Sequence, residues 1–189
     1  MKSIVGILLA AGSGSRFGGD KLLASLPDGR AVGLAAYRNL RMALDDVRVV
    51  VRARDAKLRA MFEQEGAAIV ECADAQLGMS RSLVAGVRSA RSGDGWVIAL
   101  GDMPFVKPAT ARRIAETILH GAPIALPSYR GERGQPVAFS SRLKEELLAI
   151  SGDEGARSVV QRHWAQVKIV ECDDPGVLRD IDVPEDLRE

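Results

Sequence analysis

Histidine and cysteine are scarce in this sequence, with two of each among 189 residues, and aromatic residues make up only 4%. Neither His120 nor His163 has a nucleophile or metal-ligand partner at a recognisable spacing, so no histidine chemistry is assigned. Cys72 and Cys172 each follow a glutamate at the end of an apolar run. Their spacing fits neither a zinc motif nor a dithiol redox motif, which reads them as reduced, structural thiols. An excess of one charge is also missing: 26 basic and 25 acidic side chains leave a formal net charge of +1. No global field therefore favours nucleic acid or an anionic membrane. Long hydrophobic runs are absent too. The first apolar stretch, Ile4 to Ala11, is too short to span a bilayer and runs into a glycine-rich turn, unlike the cleavage region of a signal peptide. A soluble, cytoplasmic protein is expected.

What is present is ordinary globular material, 47% apolar and 27% charged. The length suits one compact α/β domain over residues 1–189, since independent domains need roughly 100 to 150 residues each. Short apolar runs recur at Ile4 to Leu9, Val47 to Val51, Ala68 to Val70, Trp96 to Leu100, Pro123 to Leu126 and Val167 to Val170. Several are nearly continuous and rich in Val and Ile, as strands buried on both faces are. Helical periodicity fills the gaps at Gly33 to Ala43, Ala56 to Glu65, Ser80 to Ala90, Ala109 to Leu119, Arg142 to Ile150 and Ala156 to His163. This alternation predicts a mostly parallel sheet covered by helices, with ligands beyond the carboxyl ends of the strands. Pro127 to Phe139 breaks the rhythm and reads as an inserted hairpin over the site. The charged end from Asp173 to Glu189 reads as a surface tail.

The most informative stretch is the loop after the first strand, from Leu9, Ala10 and Ala11 through Gly12, Ser13, Gly14, Ser15, Arg16, Phe17, Gly18, Gly19 and Asp20 to Lys21. Glycines let successive backbone N–H groups face one concavity, and Arg16 and Lys21 add full charge for the oxygens of a polyphosphate. A Walker loop is excluded, because Gly19 is followed by Asp20 and Lys21 by Leu22. A dinucleotide loop fits less well. Gly12, Gly14 and Gly18 approximate its glycine pattern, and Arg52 with Arg54 could hold the 2′-phosphate of NADP, but the helix starts too late.

Asp102, in Gly101-Asp102-Met103-Pro104, follows the strand Trp96 to Leu100. A carboxylate there is placed to hold Mg²⁺ while phosphate oxygens complete the octahedron. Asp182 is the candidate second carboxylate, with capping of a short helix at Pro184 as its other reading. Gly78, Ser80 and Ser82 mark a helix start whose N–H groups either face a ligand or are capped. Gly152-Asp153-Glu154-Gly155 reads mainly as the start of the helix carrying Val159 and Val160.

Taken in order, LLAAGSGSRFGGDKLL (8–23), GMSRSLVAGV (78–87), ALGDMPFV (99–106), YRGERGQPVAF (129–139), SGDEGAR (151–157) and DIDVPEDL (180–187) resemble the MobA-like nucleoside-triphosphate transferase family. The similarity is greatest to its molybdenum cofactor cytidylyltransferase branch. The resemblance implies a three-layer Rossmann-like nucleotidyltransferase fold and Mg²⁺ on Asp102 between the triphosphate and an acceptor phosphate. Arg16 and Lys21 would then neutralise the phosphates and departing pyrophosphate. Arg130, Arg133, Gly134 and Gln135 would bind the acceptor, molybdopterin cofactor, although Gln135 stands where related sequences commonly carry histidine. Leu9-Ala10-Ala11-Gly12 is similar to the form in CTP-using members, where GTP-using members carry LAGG, while Gly18-Gly19-Asp20-Lys21 is similar to the GTP-using spacing. A molybdoenzyme or its chaperone is the implied recipient of the product. The remaining readings are another small-molecule phosphate nucleotidyltransferase, an NADP-dependent oxidoreductase and a non-catalytic cofactor-delivery protein.

Overall fold

A computed structural model describes residues 3–12, 17–90 and 93–188. Its strands are β1 (Ile4–Leu9), β2 (Asp46–Arg52), β3 (Ala68–Cys72), β4 (Gly95–Leu100), β5 (Ile124–Tyr129), β6 (Glu132–Arg133), β7 (Val137–Ser140) and β8 (Val167–Glu171). Its α-helices are α1 (Val32–Ala43), α2 (Ala56–Gln64), α3 (Met79–Ser89), α4 (Pro108–Leu119), α5 (Lys144–Leu148) and α6 (Arg157–Arg162).

The strands form one sheet in the order β3-β2-β1-β4-β7-β5, where β6 pairs with the last residues of β5 and β8 runs along its other edge. β1, β2, β3 and β4 are mutually parallel, as are β5 and β8. β7 is antiparallel to both β4 and β5, so β5 points the same way as β4. All six long parallel strands thus end on one rim, and β7 begins on it. The expected hairpin is present as β5–β6, and the chain then continues into β7, which enters the sheet itself.

Alternation along the strands divides the core in two. Ile4 and Leu8 of β1 and Val47, Val49 and Val51 of β2 face α1, α2 and α4, where Leu40, Phe62 and Ile114 are buried. Val5, Ile7 and Leu9 with Val50 face the other way, toward Leu83 and Val87 of α3, Leu147 of α5 and Val159 of α6. Helix, sheet and helix make three layers. In α1 the buried Val32, Ala35, Ala36 and Leu40 fall at helical spacing, so a single stripe meets the sheet.

The C-terminal segment corrects the reading of it as a surface tail. Val177 and Ile181 are 1% exposed and join the core. The carboxylate of Asp174, also 1% exposed, accepts hydrogen bonds from the Lys107 N–H (2.9 Å), the Thr110 hydroxyl (2.6 Å) and the Gly176 N–H (3.1 Å). It therefore caps α4, which starts with Pro108 in the first turn and has no capping side chain of its own. Composition reads this segment as solvated because its charges outnumber its apolar residues. One long-range carboxylate and a few apolar anchors reverse that.

Candidate functional site

The carboxyl end of β1 is fixed to both neighbours. The Ala10 N–H donates to the Val50 carbonyl (2.8 Å), and the Gly101 N–H donates to the Leu9 carbonyl (2.9 Å). These bonds set the start of the glycine-rich loop beside the loop that carries Asp102. Lys21 opens a single 3₁₀ turn, Lys21–Leu23, and its side chain reaches back across the rim. Its Nζ lies 2.7 Å from Asp102 Oδ2 and 3.2 Å from Asp182 Oδ1, and it donates to the Ile181 carbonyl at 2.8 Å.

Asp182 arrives there because the C-terminal segment is pinned to the Asp102 loop. The Ile181 N–H donates to the Asp102 carbonyl (2.8 Å). The turn after it is capped by Asp186, whose carboxylate accepts from the N–H groups of Asp182 (2.7 Å) and Val183 (2.8 Å), the return half of a capping box. The Asp182 carboxylate itself meets Lys21.

Charge and burial compete at Lys21. Burial draws the ammonium's pKa down, but hydrogen bonds and charge from Asp102, then Asp182, outweigh it and hold the group above its ordinary value. Asp102 Oδ1 is buried and has no hydrogen-bond partner among the described residues. A buried carboxylate oxygen without a donor is costly, and a hard cation with oxygen preference would satisfy it. No group of three or more His, Cys, Asp or Glu residues is assembled for a metal among the described residues. Two carboxylates suit a Mg²⁺ ion that draws its other ligands from phosphate and water.

Beside this cluster opens a cleft of about 380 Å³. Of the expected nucleotide-binding residues, Leu9, Ala11, Gly12, Lys21, Gly78, Ser82 and Asp102 line it. Ala10 and Ser80 are buried and do not line it, and the Ser80 Oγ finds no partner among the described residues. Ser13, Gly14, Ser15 and Arg16 lie outside the described residues. Gly78 has a φ of 117°, and a Cβ there would stand 2.5 Å from Asp153 Oδ1, so only glycine lets this loop close onto the start of α3. The Ser80 N–H donates to the Gly152 carbonyl (3.2 Å), joining the same two segments.

Arg52, Gln76, Met79 and Asp153 also line the cleft. The sequence connected Arg52 only with a dinucleotide and Asp153 mainly with a helix start. The usable signal for Arg52 was its place at the carboxyl end of β2, on the ligand-binding rim. The Arg52 Nε is buried without a hydrogen-bond partner among the described residues, and Arg54 is exposed and does not line the cleft.

The expected acceptor residues lie on the same rim but outside this cleft. Gln135 borders a crevice with Leu100 and Met103, on either side of Asp102 in sequence. The Gly134 and Gln135 N–H groups donate to the carbonyls of Pro127 (3.0 Å) and Val177 (2.9 Å). Arg130 lies 5.0 Å from the centre of the Tyr129 ring, and Arg133 lies 4.7 Å from that of Trp164. His163 pairs with Glu146 (2.8 Å), and both cysteines are free, with the Cys72 thiol pushed up chiefly by burial.

With this geometry in view, the sequence profile of the MobA-like NTP transferase domain matches residues 6–167. The chain belongs to this family. It is 33% identical over 193 residues to the purine catabolism protein PucB of Bacillus subtilis, covering 97% of this chain and 93% of that one. It is 30% identical over 192 residues to nicotine blue oxidoreductase of Paenarthrobacter nicotinovorans, covering 97% and 94%. Among solved structures, it is similar to a nucleotidyl transferase from Methanothermobacter thermautotroptrophicus, with a TM-score of 0.83 and 28% identity over 98% of this chain and 94% of that one. A Mycobacterium tuberculosis H37Rv protein solved in complex with manganese has a TM-score of 0.75 and 28% identity, covering 100% of this chain and 94% of that one. The fold is therefore the Rossmann-like nucleotidyltransferase fold, and the chain is a MobA-like nucleotidyltransferase. No helix among the described residues is long and apolar enough to cross a membrane.

Proposed function

We propose that this protein transfers CMP from CTP to the terminal phosphate of molybdopterin cofactor and releases pyrophosphate, in the manner of the molybdenum cofactor cytidylyltransferase branch. The observation that carries the reading is the meeting of Lys21, Asp102 and Asp182 at the edge of a cleft bordered by Gly12. Asp102 and Asp182 would hold Mg²⁺, whose charge would stabilise phosphate oxygens, and Asp102 Oδ1, without a hydrogen-bond partner among the described residues, fits that use. The manganese complex of a relative supports a divalent ion in this family.

The acceptor phosphate is already an anionic nucleophile, so the reaction needs no histidine or cysteine. Its oxygen attacks the α-phosphorus of CTP, the bond to the bridging oxygen of the β-phosphate breaks, and pyrophosphate leaves with that electron pair. Positioning and charge stabilisation then constitute most of the catalysis. Lys21 and Arg16 would neutralise the phosphates, while the backbone from Leu9 to Ser15 with Gly78, Ser80 and Ser82 would shape the nucleotide side. Arg130, Arg133, Gly134 and Gln135 would meet the acceptor where β5 ends and β7 begins. A cytoplasmic location belongs to the same proposal.

The test is incubation with Mg²⁺, molybdopterin and each of the four triphosphates. With CTP the acceptor gains the mass of one CMP unit and pyrophosphate appears; transfer from GTP instead would assign the guanylyl reading. A second reading, an NADP-dependent oxidoreductase, draws on the name of one 30% identical relative and on Arg52 in the cleft wall. It requires NADP binding and hydride transfer without metal or pyrophosphate release.

A further inference from the structure

The ammonium of Lys21 has three hydrogens and meets three acceptors: Asp102 Oδ2, Asp182 Oδ1 and the Ile181 carbonyl, at 2.7, 3.2 and 2.8 Å. So placed, it has no donor left for a phosphate. Its charge also occupies the two carboxylates that a divalent ion would use, and two cations cannot share one carboxylate oxygen at such range without strong repulsion. The side chain is only 13% exposed, so water screens this conflict poorly.

We propose that Lys21 is the resident counter-ion of the metal site: it neutralises Asp102 and Asp182 in the ligand-free protein and gives them up to a divalent ion as its ammonium turns to the phosphates. Metal and triphosphate then load cooperatively, each removing an obstacle to the other. The inference rests on the reading of Asp102 and Asp182 as metal-holding and of Lys21 as phosphate-holding.

Three features support the exchange. The acceptors are fixed, because the Asp102 carbonyl holds the Ile181 N–H and Asp186 holds the N–H groups of Asp182 and Val183. The donor is a four-carbon stem with freely rotating bonds, and Lys21 itself lines the cleft, so its head group can change partners without moving the sheet. The substitution is also incomplete, since Lys21 pairs with Asp102 Oδ2 and leaves Oδ1 without a hydrogen-bond partner among the described residues.

The test titrates Mn²⁺ by electron paramagnetic resonance into the wild type, Lys21→Met and Asp102→Asn, each with and without inorganic tripolyphosphate. Wild type should bind Mn²⁺ alone weakly and gain on the order of tenfold in affinity with tripolyphosphate. Lys21→Met should bind Mn²⁺ alone on the order of tenfold more tightly than wild type and gain much less from tripolyphosphate. Asp102→Asn should lose Mn²⁺ binding. If Lys21→Met binds Mn²⁺ no more tightly while Asp102→Asn loses it, the counter-ion role is overturned and the metal reading survives. If Asp102→Asn binds as wild type does, the metal reading itself fails, and the counter-ion role with it. Should Lys21→Met not fold, amine acylation of the wild type read by mass spectrometry decides: Mg²⁺ alone should raise labelling of Lys21, and tripolyphosphate should lower it again. Labelling unchanged by Mg²⁺ overturns the proposal.

Discussion

The two segments that bring Lys21 and Asp182 together use glycine for opposite reasons. In the loop after β1, a Cβ added at Gly12 or Gly19 would meet nothing within 4 Å among the described residues. In the half of the site built around the C-terminal segment, a Cβ at Gly176 would overlap the Phe105 carbonyl, and one at Gly134 would overlap the Val177 carbonyl. Glycine in the second region lets protein backbone approach protein backbone. At Gly12 and Gly19 no described neighbour demands glycine, and the missing side chain leaves room for a ligand to approach the backbone instead. The frame that carries Asp182 is thus clamped backbone to backbone, whereas Gly12 borders the cleft itself.

Substitutions at these glycines should separate the two uses. Gly176→Ala forces backbone apart and should cost roughly 3 kcal/mol, lowering Tm by about 6 to 12 °C in a thermal melt. A melt unchanged from wild type would break the comparison at its rigid end. Gly12→Ala should leave Tm unchanged or slightly raised, because the methyl enters open space and the unfolded chain loses freedom. Yet it should weaken CTP binding on the order of tenfold, about 1.4 kcal/mol, measured by calorimetry. Retained affinity would mean that the backbone there does not approach the ligand.

The smallest effect is expected at Asp186. The N–H of Val183, then that of Asp182, holds its carboxyl pKa below the ordinary carboxylate value. A depressed folded value means that the contribution to stability is present above the unfolded pKa, near 3.8, and is lost as pH falls through the folded value. The Tm gap between wild type and Asp186→Ala should therefore be small and constant near neutrality and close as pH falls below about 3.8. A gap that persists at lower pH would show that Asp186 acts other than through its charge.

The same division explains what could be read from the sequence. β1 and β4 were legible as continuous apolar runs, and β2 as a valine-rich run broken only by Arg48 between its charged ends. The helices between them carried a 3.6-residue stripe, and Lys21 and Asp102, which the structure brings together, stood out as candidates because each follows such a strand. β7 was less so. Only four residues long, its place between β4 and β5 depends on pairing Trp96 with Phe139 and Ile124 with Phe139 across the chain, which local propensity does not encode. Residues 173–188 carry the same lesson, since the burial of Asp174 depends on donors at Lys107 and Thr110. Asp153 enters the cleft wall only because Gly78 permits the approach.

Asp102, paired with Lys21, is proposed to stand at the centre of a nucleotidyl-transfer site. Pyrophosphate release from CTP in the presence of Mg²⁺ and molybdopterin, compared between wild type and Asp102→Asn at matched Tm, tests it most directly. The expected result is release by wild type and a rate lower by at least about 100-fold in the variant. Release at the wild-type rate by Asp102→Asn would contradict the account.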